Sequence, residues 1–315
     1  MSNKRKETLE DALQFVLWTK QLEEKSDLTI RDYRQRIMEF INFLKKEYYI
    51  KYVEEVDKSH VRHYIKEMDD RNLSNTTING KLRYLRSFFN IVIEEELVSE
   101  DFVNPLEGIS LRKENWNVKK HLSKEDLEKL LECPDKRTFT GMRNYMCMLL
   151  MLGTGIRPSE LLALNVDDCK EYHIIVRDEV SKTGEMRILP LSTGLRKELY
   201  KYLKIKGDWG GDILFPNYEG KRLSTRGLSD AIKRIAEKAG LDKNSVGAYS
   251  FRHTFAINYL REGGDPLKLQ KLLGHTTLEM TRRYVRWDVE DLKSDFDQRS
   301  IAEQLIKNKK RERRR

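Results

Sequence analysis

The segment LLGHTTLEMTRRY, residues 272–284, joins a glycine–histidine step to a tyrosine that follows two arginines. Gly274 suits the left-handed position that ends a helix, which exposes His275 just beyond it. A buried tyrosine needs no arginines beside it, whereas a tyrosine that meets a phosphate does. The pattern therefore predicts that Tyr284, nine residues after His275, meets a phosphate.

Two arginines stand near helix starts, where an anion binds well. Arg157 lies in TGIRPSELLAL just before Pro158, a residue that suits the first helical turn. Unpaired backbone N–H groups there favour an anion, and a guanidinium adds a bidentate phosphate clamp. The alternative is a surface arginine that pairs with Glu160. Arg252 lies in the leading turn of the apolar helix YSFRHTFAINYL, where His253 is better explained as a structural histidine.

A lysine completes the candidate set. The stretch SKTG places Lys182 at a hairpin turn, where a long side chain can swing into a neighbouring cleft. Most turn lysines are merely solvated. Each of these side chains, taken singly, could be an ordinary solvated, paired or structural residue. Their order along the chain is what points to a particular function.

That order resembles the tyrosine recombinase (phage integrase) family of site-specific DNA recombinases. The family's catalytic boxes are similar to TGIRPSELLAL, FRHTFA and LLGHTTLEMTRRY, and its usual run into the linker is similar to NPLEGI. Its SAM-like core-binding domain resembles SDLTIRDYRQRIMEFINFLKK and SNTTINGKLRYLRSFFNIVIEEELV. The resemblance covers nearly the whole chain.

The resemblance implies a role for each group. Tyr284 would attack the scissile phosphate and form a 3′-phosphotyrosine, releasing a 5′-hydroxyl. Arg157 and Arg252 would clamp the non-bridging oxygens, and His275 would donate a further hydrogen bond. Lys182 would protonate the departing 5′-oxygen. A 5′-hydroxyl from a partner strand then reverses the step, so no cofactor, neither ATP nor a metal, is expected.

One position departs from the family pattern. Members commonly have a histidine or lysine three residues before the second arginine, where this chain has Tyr249. A free phenol titrates near pH 10, so it is a poor base at neutral pH, although it can donate a hydrogen bond to phosphate. Tyr249 stays in the candidate catalytic set, with the role of proton acceptor or hydrogen-bond donor left open.

Three other functions fit part of the pattern. A type IB topoisomerase shares the nucleophile and the reversible chemistry, but the integrase-like N-terminal region argues against it. A non-catalytic DNA-binding protein of the same fold is disfavoured by the full set of Arg, Lys, Arg, His and Tyr. A magnesium-dependent nuclease would use Asp167 and Asp168, but adjacent acids after a helix are more often solvated or capping.

Mostly helical elements must position these groups. Apolar residues recur at helical spacing in 30–46, with Thr29 as N-cap, and in 76–95; shorter helices are predicted over 8–24 and 58–69. Ser123 is predicted to cap the next helix. Two or three strands are expected around the Lys-Thr-Gly turn in YHIIVRDEVSKTGEMRILPLS.

The fold class expected from these patterns and the resemblance is mainly α (α+β). A SAM-like helical N-terminal domain precedes a mostly helical catalytic domain with a small antiparallel β-sheet. The predicted boundaries are a core DNA-binding domain over 1–106, a linker over 107–119, a catalytic domain over 120–305 and a basic tail over 306–315. The linker assignment follows Pro105, Gly108 and a basic run without helical period.

Charge gives a weaker indication of nucleic-acid binding. The net charge is +9, but the last ten residues hold seven Lys or Arg and one Glu, which leaves +3 for the rest. The tail predicts either a non-specific phosphate-binding arm or a solubilising end. Candidate DNA contacts in the N-terminal domain are Lys81, Arg83 and Arg86, with an ordinary solvated surface as the alternative.

Composition and the resemblance also set the expected partners and location. The three cysteines, Cys133, Cys147 and Cys169, form no CxxC pair, and the six histidines lack ligand spacing, so neither a disulfide framework nor a metal site is expected. We expect double-stranded DNA at specific recombination sites, a tetramer on two such sites, accessory DNA-bending factors as compatible partners, no membrane and a cytoplasmic location.

The segment DVEDLKSDFDQRSIAEQLI is expected to dock on a neighbouring protomer, and docking on the core of its own protomer is the alternative. The docking side chains would be its apolar set, Val289, Leu292, Phe296, Ile301 and Leu305. Integration, excision, inversion and dimer resolution remain alternatives.

Overall fold

The fold is given by a computed structural model that describes residues 6–114, 121–181, 183–282 and 284. The chain forms two compact units, Met1–Asn117 and Val118–Arg315. Over the described residues, the regular structure consists of twelve α-helices, short 3₁₀ turns and one two-stranded antiparallel sheet. The expected mainly helical fold with a small sheet is therefore confirmed. No helix in this part of the chain is long and apolar enough to cross a bilayer.

The first unit is a bundle of four helices around an aromatic core. They are α1 (Leu9–Leu22), α2 (Asp27–Tyr48), α3 (Lys58–Asp70) and α4 (Asn75–Glu94). Phe40 of α2 contacts Tyr64 of α3, with ring centroids 5.0 Å apart, and Phe89 of α4. All three rings are fully buried. The apolar spacing along α2 and α4 is therefore explained by a shared core.

The start of α2 differs from the sequence prediction. Ser26, not Thr29, is the N-cap, and its hydroxyl accepts a hydrogen bond from the backbone N–H of Thr29. Both residue types cap helices and they are three positions apart, so local propensity did not separate them. The predicted cap at Ser123 is confirmed, because its hydroxyl accepts from the N–H of Asp126.

The described part of the predicted linker runs along α4. The buried side chain of Asn79 both donates to the carbonyl of Arg112 and accepts from its N–H. Arg112 also pairs with Asp69, and Arg86 donates to the carbonyl of Ile109. These contacts hold residues 109–112 against α3 and α4 within the first unit.

The second unit contains the remaining helices and the sheet. In chain order they are α5 (Lys124–Glu132), α6 (Phe139–Thr154), α7 (Pro158–Ala163), β1 (His173–Val176), β2 (Arg187–Pro190), α8 (Thr193–Lys206), α9 (Thr225–Lys238), α10 (Ala248–Arg261), α11 (Pro266–Leu273) and α12 (Leu278–Arg282). β1 and β2 pair so that Val176 lies opposite Arg187. The hairpin therefore consists of two strands rather than three.

Helix α6 lies at the centre of this unit. Its side chains are buried on nearly every side, as in a helix surrounded by others, and it packs chiefly against α10 and α8. Gly155 ends α6 in the left-handed conformation, with φ at +67°. The turn that follows directs Ile156 into the core and brings the chain to Arg157.

Candidate active site

Arg157 is the N-cap of α7 and is buried rather than a surface residue. Its side chain donates to Oε1 of Glu160 at 2.8 Å, and its backbone N–H donates to Oε2 at 3.0 Å. A second nitrogen of the guanidinium donates to the carbonyl of Gly274. The pairing with Glu160 was the plain alternative from sequence. It occurs, but deep inside the unit and next to the residue that precedes His275.

Arg252 lies on the buried face of α10. Its guanidinium donates to the carbonyl of Gly155 at 2.6 Å and to that of Leu273 at 2.8 Å. Burial, and then the neighbouring Arg157, lower the pKa of Arg252 to about 10, which leaves the side chain cationic at neutral pH. Two guanidiniums therefore converge on the C-terminal end of α11, where the helix dipole favours cations.

His275 follows the left-handed Gly274 and points at this arginine pair. Its Nε2 lies 3.2 Å from Nη2 of Arg252, and its Nδ1 lies 2.9 Å from the buried hydroxyl of Thr281. A guanidinium can only donate, so Nε2 accepts. In the neutral ring Nδ1 then carries the proton and donates to Thr281. Chemistry thus assigns the tautomer.

Tyr284 packs against both histidines near this end of α11. Its ring lies parallel to that of His275, with centroids 6.0 Å apart and an interplanar angle of 8°. The ring of His253 is closer, at 5.1 Å. Tyr284 also packs on the small apolar cluster that α10 and α11 share. His253 is therefore more than a core histidine, because it contacts the candidate nucleophile.

Tyr249 lies in the first turn of α10 with 61% of its surface exposed. It belongs to the same helix as Arg252 but is not part of the buried cluster. Lys182 lies outside the described residues, between Ser181 and Thr183 on the β1–β2 connection. Of the six predicted catalytic residues, the structure brings four together: Arg157, Arg252, His275 and Tyr284.

The adjacent acids considered for metal binding have a structural role in part. Asp168 caps a 3₁₀ turn by accepting from the N–H of Asn165 at 2.8 Å, and it pairs with Arg177 at 3.2 Å. Across the described ranges, no cluster of three or more His, Cys, Asp or Glu is placed to hold a metal ion.

The three candidate DNA contacts on α4 are all engaged within the first unit. Lys81 is 7% exposed and pairs with Glu39. Arg86 donates to a backbone carbonyl, as described above. Arg83 pairs with Glu114, but its side chain stays 55% exposed. Of the three, Arg83 is the one whose guanidinium remains open to a phosphate.

Two further residues belong to the site: Glu160, which the sequence indicated only as a surface partner of Arg157, and Arg187, which it did not indicate. Glu160 is completely buried and accepts from Arg157 and from Arg187 of β2. Burial opposes its ionisation, but the two guanidiniums hold the pKa of Glu160 below its usual range. The spacing of Glu160 from Arg157 was a signal for one of these pairs. The local sequence of β2 does not indicate that Arg187 points into the unit and contacts Glu160.

Comparison with protein families gives two matches. The phage integrase family matches residues 120–291, which is more than half of the chain. The phage integrase N-terminal SAM-like domain matches residues 15–96. The two matches correspond to the two regions in which the sequence resembled the family.

Individual relatives agree. A tyrosine recombinase XerC of Thermodesulfovibrio yellowstonii is 34% identical, covering 86% of this chain and 90% of the relative. A tyrosine recombinase XerC of Anoxybacillus flavithermus is 33% identical, covering 82% and 87%. In structure, a lambda integrase dimer bound to a COC′ core site is similar with a TM-score of 0.73, at 18% identity, covering 90% of this chain and 80% of that one. This last likeness is one of fold.

Proposed function

We propose, since the chain belongs to the phage integrase family, that Tyr284 is the nucleophile with which it cleaves and rejoins DNA. The chain is a tyrosine recombinase, an enzyme that exchanges strands at specific sites. The proposal concerns which of its residues perform each step. The observation that supports it is the convergence of Arg157, Arg252 and His275 on one helix end beside the Tyr284 ring.

In the proposed reaction, Tyr284 gives up its phenolic proton to water and its oxygen attacks the scissile phosphorus. The bond to the 5′-oxygen breaks, and a 3′-phosphotyrosine forms. Arg157 and Arg252 stabilise the charge that develops on the non-bridging oxygens. Their contacts to backbone carbonyls and to Glu160 hold them in place before DNA binds, so little reorganisation is needed.

His275 and Lys182 are proposed to handle the remaining hydrogen bonds and protons. Thr281 holds Nδ1 of His275, which leaves Nε2 facing Arg252 and the phosphate position. To donate to the phosphate, Nε2 must take up a proton when DNA displaces the Arg252 contact. Lys182 then protonates the 5′-oxygen, and a 5′-hydroxyl of another strand attacks the phosphotyrosine in the reverse step.

We further propose that four protomers assemble on two DNA sites through the segment after Tyr284. The second unit has a groove of about 1390 Å³ between β2, α10 and α11. Met186, Ile188 and Leu267 expose apolar surface along it. Its charged lining is mainly basic, with Lys268, Lys271 and Arg187 against one acid, Glu185, and it reaches His275 at one end. The segment 288–297 carries five acidic residues and one lysine besides its apolar side chains, so it complements the groove in charge and character. The occupant we propose is this segment of a second copy.

The nucleophile is tested by covalent capture. The cleavage positions are first mapped by incubating the protein with DNA of the element that encodes it and locating the attached strands. A nicked DNA carrying the mapped site then traps the covalent complex, which a denaturing gel separates. We expect Tyr284→Phe to bind this DNA normally and to form no covalent complex. Tyr218→Phe serves as the matched control, because Tyr218 is 80% exposed in the second unit.

Covalent product persisting in Tyr284→Phe would rule out this nucleophile. A wild-type protein that binds DNA but never forms covalent product would instead support the non-catalytic alternative. The mapped positions also separate integration, excision, inversion and dimer resolution, because each joins a different pair of sites.

A further inference from the structure

The end of α11 is held by three arginines from three different elements. Its last carbonyls belong to Leu272, Leu273 and Gly274, directly before His275. Leu273 accepts from Arg252 and Gly274 accepts from Arg157. Leu272 accepts from Nε of Arg187 at 3.0 Å. The resemblance assigned no role to this third arginine.

Arg187 differs from Arg252 in having a carboxylate partner, and from Arg157 in meeting that carboxylate with both terminal nitrogens. Its two terminal nitrogens meet the two oxygens of Glu160, at 3.1 Å for the Nη1–Oε1 pair and in a short contact for the Nη2–Oε2 pair. Such a fork-to-fork pair is both strong and specific in geometry. All three nitrogens are therefore used within the protein. The cation of Arg187 is largely neutralised, so it is poorly suited to clamp a phosphate.

Glu160 connects this pair to the phosphate clamp. The same two oxygens also accept from the side chain and the backbone N–H of Arg157. Without Arg187, the buried carboxylate would draw the whole of Arg157 toward itself. The guanidinium of Arg157 would then shift away from Gly274 and from any phosphate. Because one carboxylate is shared between two guanidiniums, Glu160 binds Arg157 less tightly, and the Arg157 guanidinium can still reach Gly274 and a phosphate.

We propose that Arg187 is a positioning residue for strand cleavage. It neutralises Glu160 and holds the last turn of α11, and both actions fix where Arg157 and His275 meet the phosphate. Gly274 fits this arrangement closely, because a Cβ there would lie 3.1 Å from a terminal nitrogen of Arg157 and of Arg187. The inference rests on the proposed function, since it assumes that Arg157 binds the scissile phosphate.

The test compares cleavage with binding in the full-length protein on the nicked DNA used above. We expect Arg187→Ala to slow single-turnover covalent complex formation roughly tenfold to hundredfold, because small misplacements of a clamp are costly. The affinity for the same DNA should change by less than about threefold, a shift of well under 1 kcal/mol. Arg187→Lys, which keeps the charge but not the fork, should give an intermediate rate.

Arg177→Ala is the matched control. Arg177 also joins the hairpin region to α7, through Asp168 and the carbonyl of Ala163, but it touches none of the clamp residues. Its loss should lower the unfolding temperature without slowing cleavage by the folded protein. If Arg187→Ala does not fold, the comparison of Arg187→Lys with Arg177→Ala carries the test.

A double-mutant cycle with Glu160→Gln distinguishes positioning from direct contact. If Arg187 acts by neutralising Glu160, Glu160→Gln removes the charge that would draw Arg157 away, so the combined variant should cleave no slower than Arg187→Ala alone. Multiplied losses would mean that Arg187 acts independently of Glu160, and they would overturn the proposal that it positions Arg157 through that carboxylate. Wild-type cleavage rates in the Arg187 variants would overturn it as well. The two proposals fail separately. If the wild type forms covalent product and Tyr284→Phe forms none, the proposed function stands even when the Arg187 variants cleave at the wild-type rate.

Discussion

Tyr249 is the residue at which the chain departs from the family pattern, and its exposure limits what it does. The phenol lies 61% exposed in the first turn of α10, one helical turn before Arg252 and His253. A surface phenol of this kind can donate a hydrogen bond to a bound phosphate.

We therefore expect Tyr249→Phe to slow single-turnover cleavage about tenfold, which corresponds to about 1.4 kcal/mol. Tyr249→His should change the rate little. Arg252→Ala should cost on the order of 10²-fold or more, because it removes a cation that faces developing charge. A Tyr249→His enzyme that cleaves faster than wild type would identify the position as a proton acceptor. A Tyr249→Phe enzyme as slow as Arg252→Ala would make the hydroxyl essential.

At the residue scale, the order of types along the chain pointed to Arg157, Arg252, His275 and Tyr284, which the fold brings together. Their roles stay predictions. The sequence did not indicate Arg187, because its partners Glu160 and Leu272 lie 27 and 85 positions away. A contact of that kind depends on how β2 packs against α7 and α11, and no local pattern encodes it.

At the scale of elements, the turn after α6 shows how backbone geometry supports the site. Gly155 has φ at +67°, and its carbonyl accepts from Arg252. A Cβ there would lie 2.4 Å from the ring of Phe255 and 2.8 Å from the side chain of Leu273. The site therefore needs glycine twice, once for the left-handed backbone and once for the close approach of α10 and α11.

Gly155→Ala should accordingly destabilise the protein by about 2–4 kcal/mol, of which about 1 kcal/mol reflects the left-handed backbone and the rest overpacking. Gly240→Ala is the control, since Gly240 has φ at +73° and open space around its Cβ position. Urea unfolding of both variants measures the difference. Equal losses of unfolding free energy would show that the packing around Gly155 relaxes without cost.

Helix positions were more predictable than helix starts. The apolar period reflects burial along a whole face, so the helices at 30–46 and 76–95 were expected in the correct places. The start of α2 was misplaced because Ser26 and Thr29 compete as caps within one turn. The two short strands of the hairpin gave a weaker signal, since four residues each span little more than two alternations.

At the scale of the whole molecule, the proposed assembly joins two parts of the chain. The docking segment is predicted from the sequence alone, and the groove that would accept it is seen in the structure. The apolar set in 289–305 and the tail 306–315 lie outside the described residues, so these predictions rest on the sequence. The acceptor groove, by contrast, is a feature of the fold. Met186 and Ile188 of the hairpin and Leu267 of α11 come together only when β2 packs beside α11.

Deleting residues 289–315 should therefore leave binding to a single DNA site intact and abolish the pairing of two sites. The physical reason is that each protomer then loses the apolar segment that would cover the groove of a neighbour, while its own units stay folded. Deleting only 306–315 is the control, because it removes all seven basic residues of the tail and keeps the segment. Electrophoretic mobility in native gels separates single-site complexes from paired ones.

The groove itself provides an independent arm of the same test. Leu267→Asp places a charge on its apolar surface at a position that is 59% exposed, so folding should be little affected. If the segment docks between copies, this variant and the 289–315 deletion should show the same defect in pairing with unchanged single-site affinity. Docking of the segment on its own core predicts instead that the deletion lowers the unfolding temperature of the isolated protomer. Intact pairing after the deletion would remove the segment from assembly altogether, whatever the groove variant does.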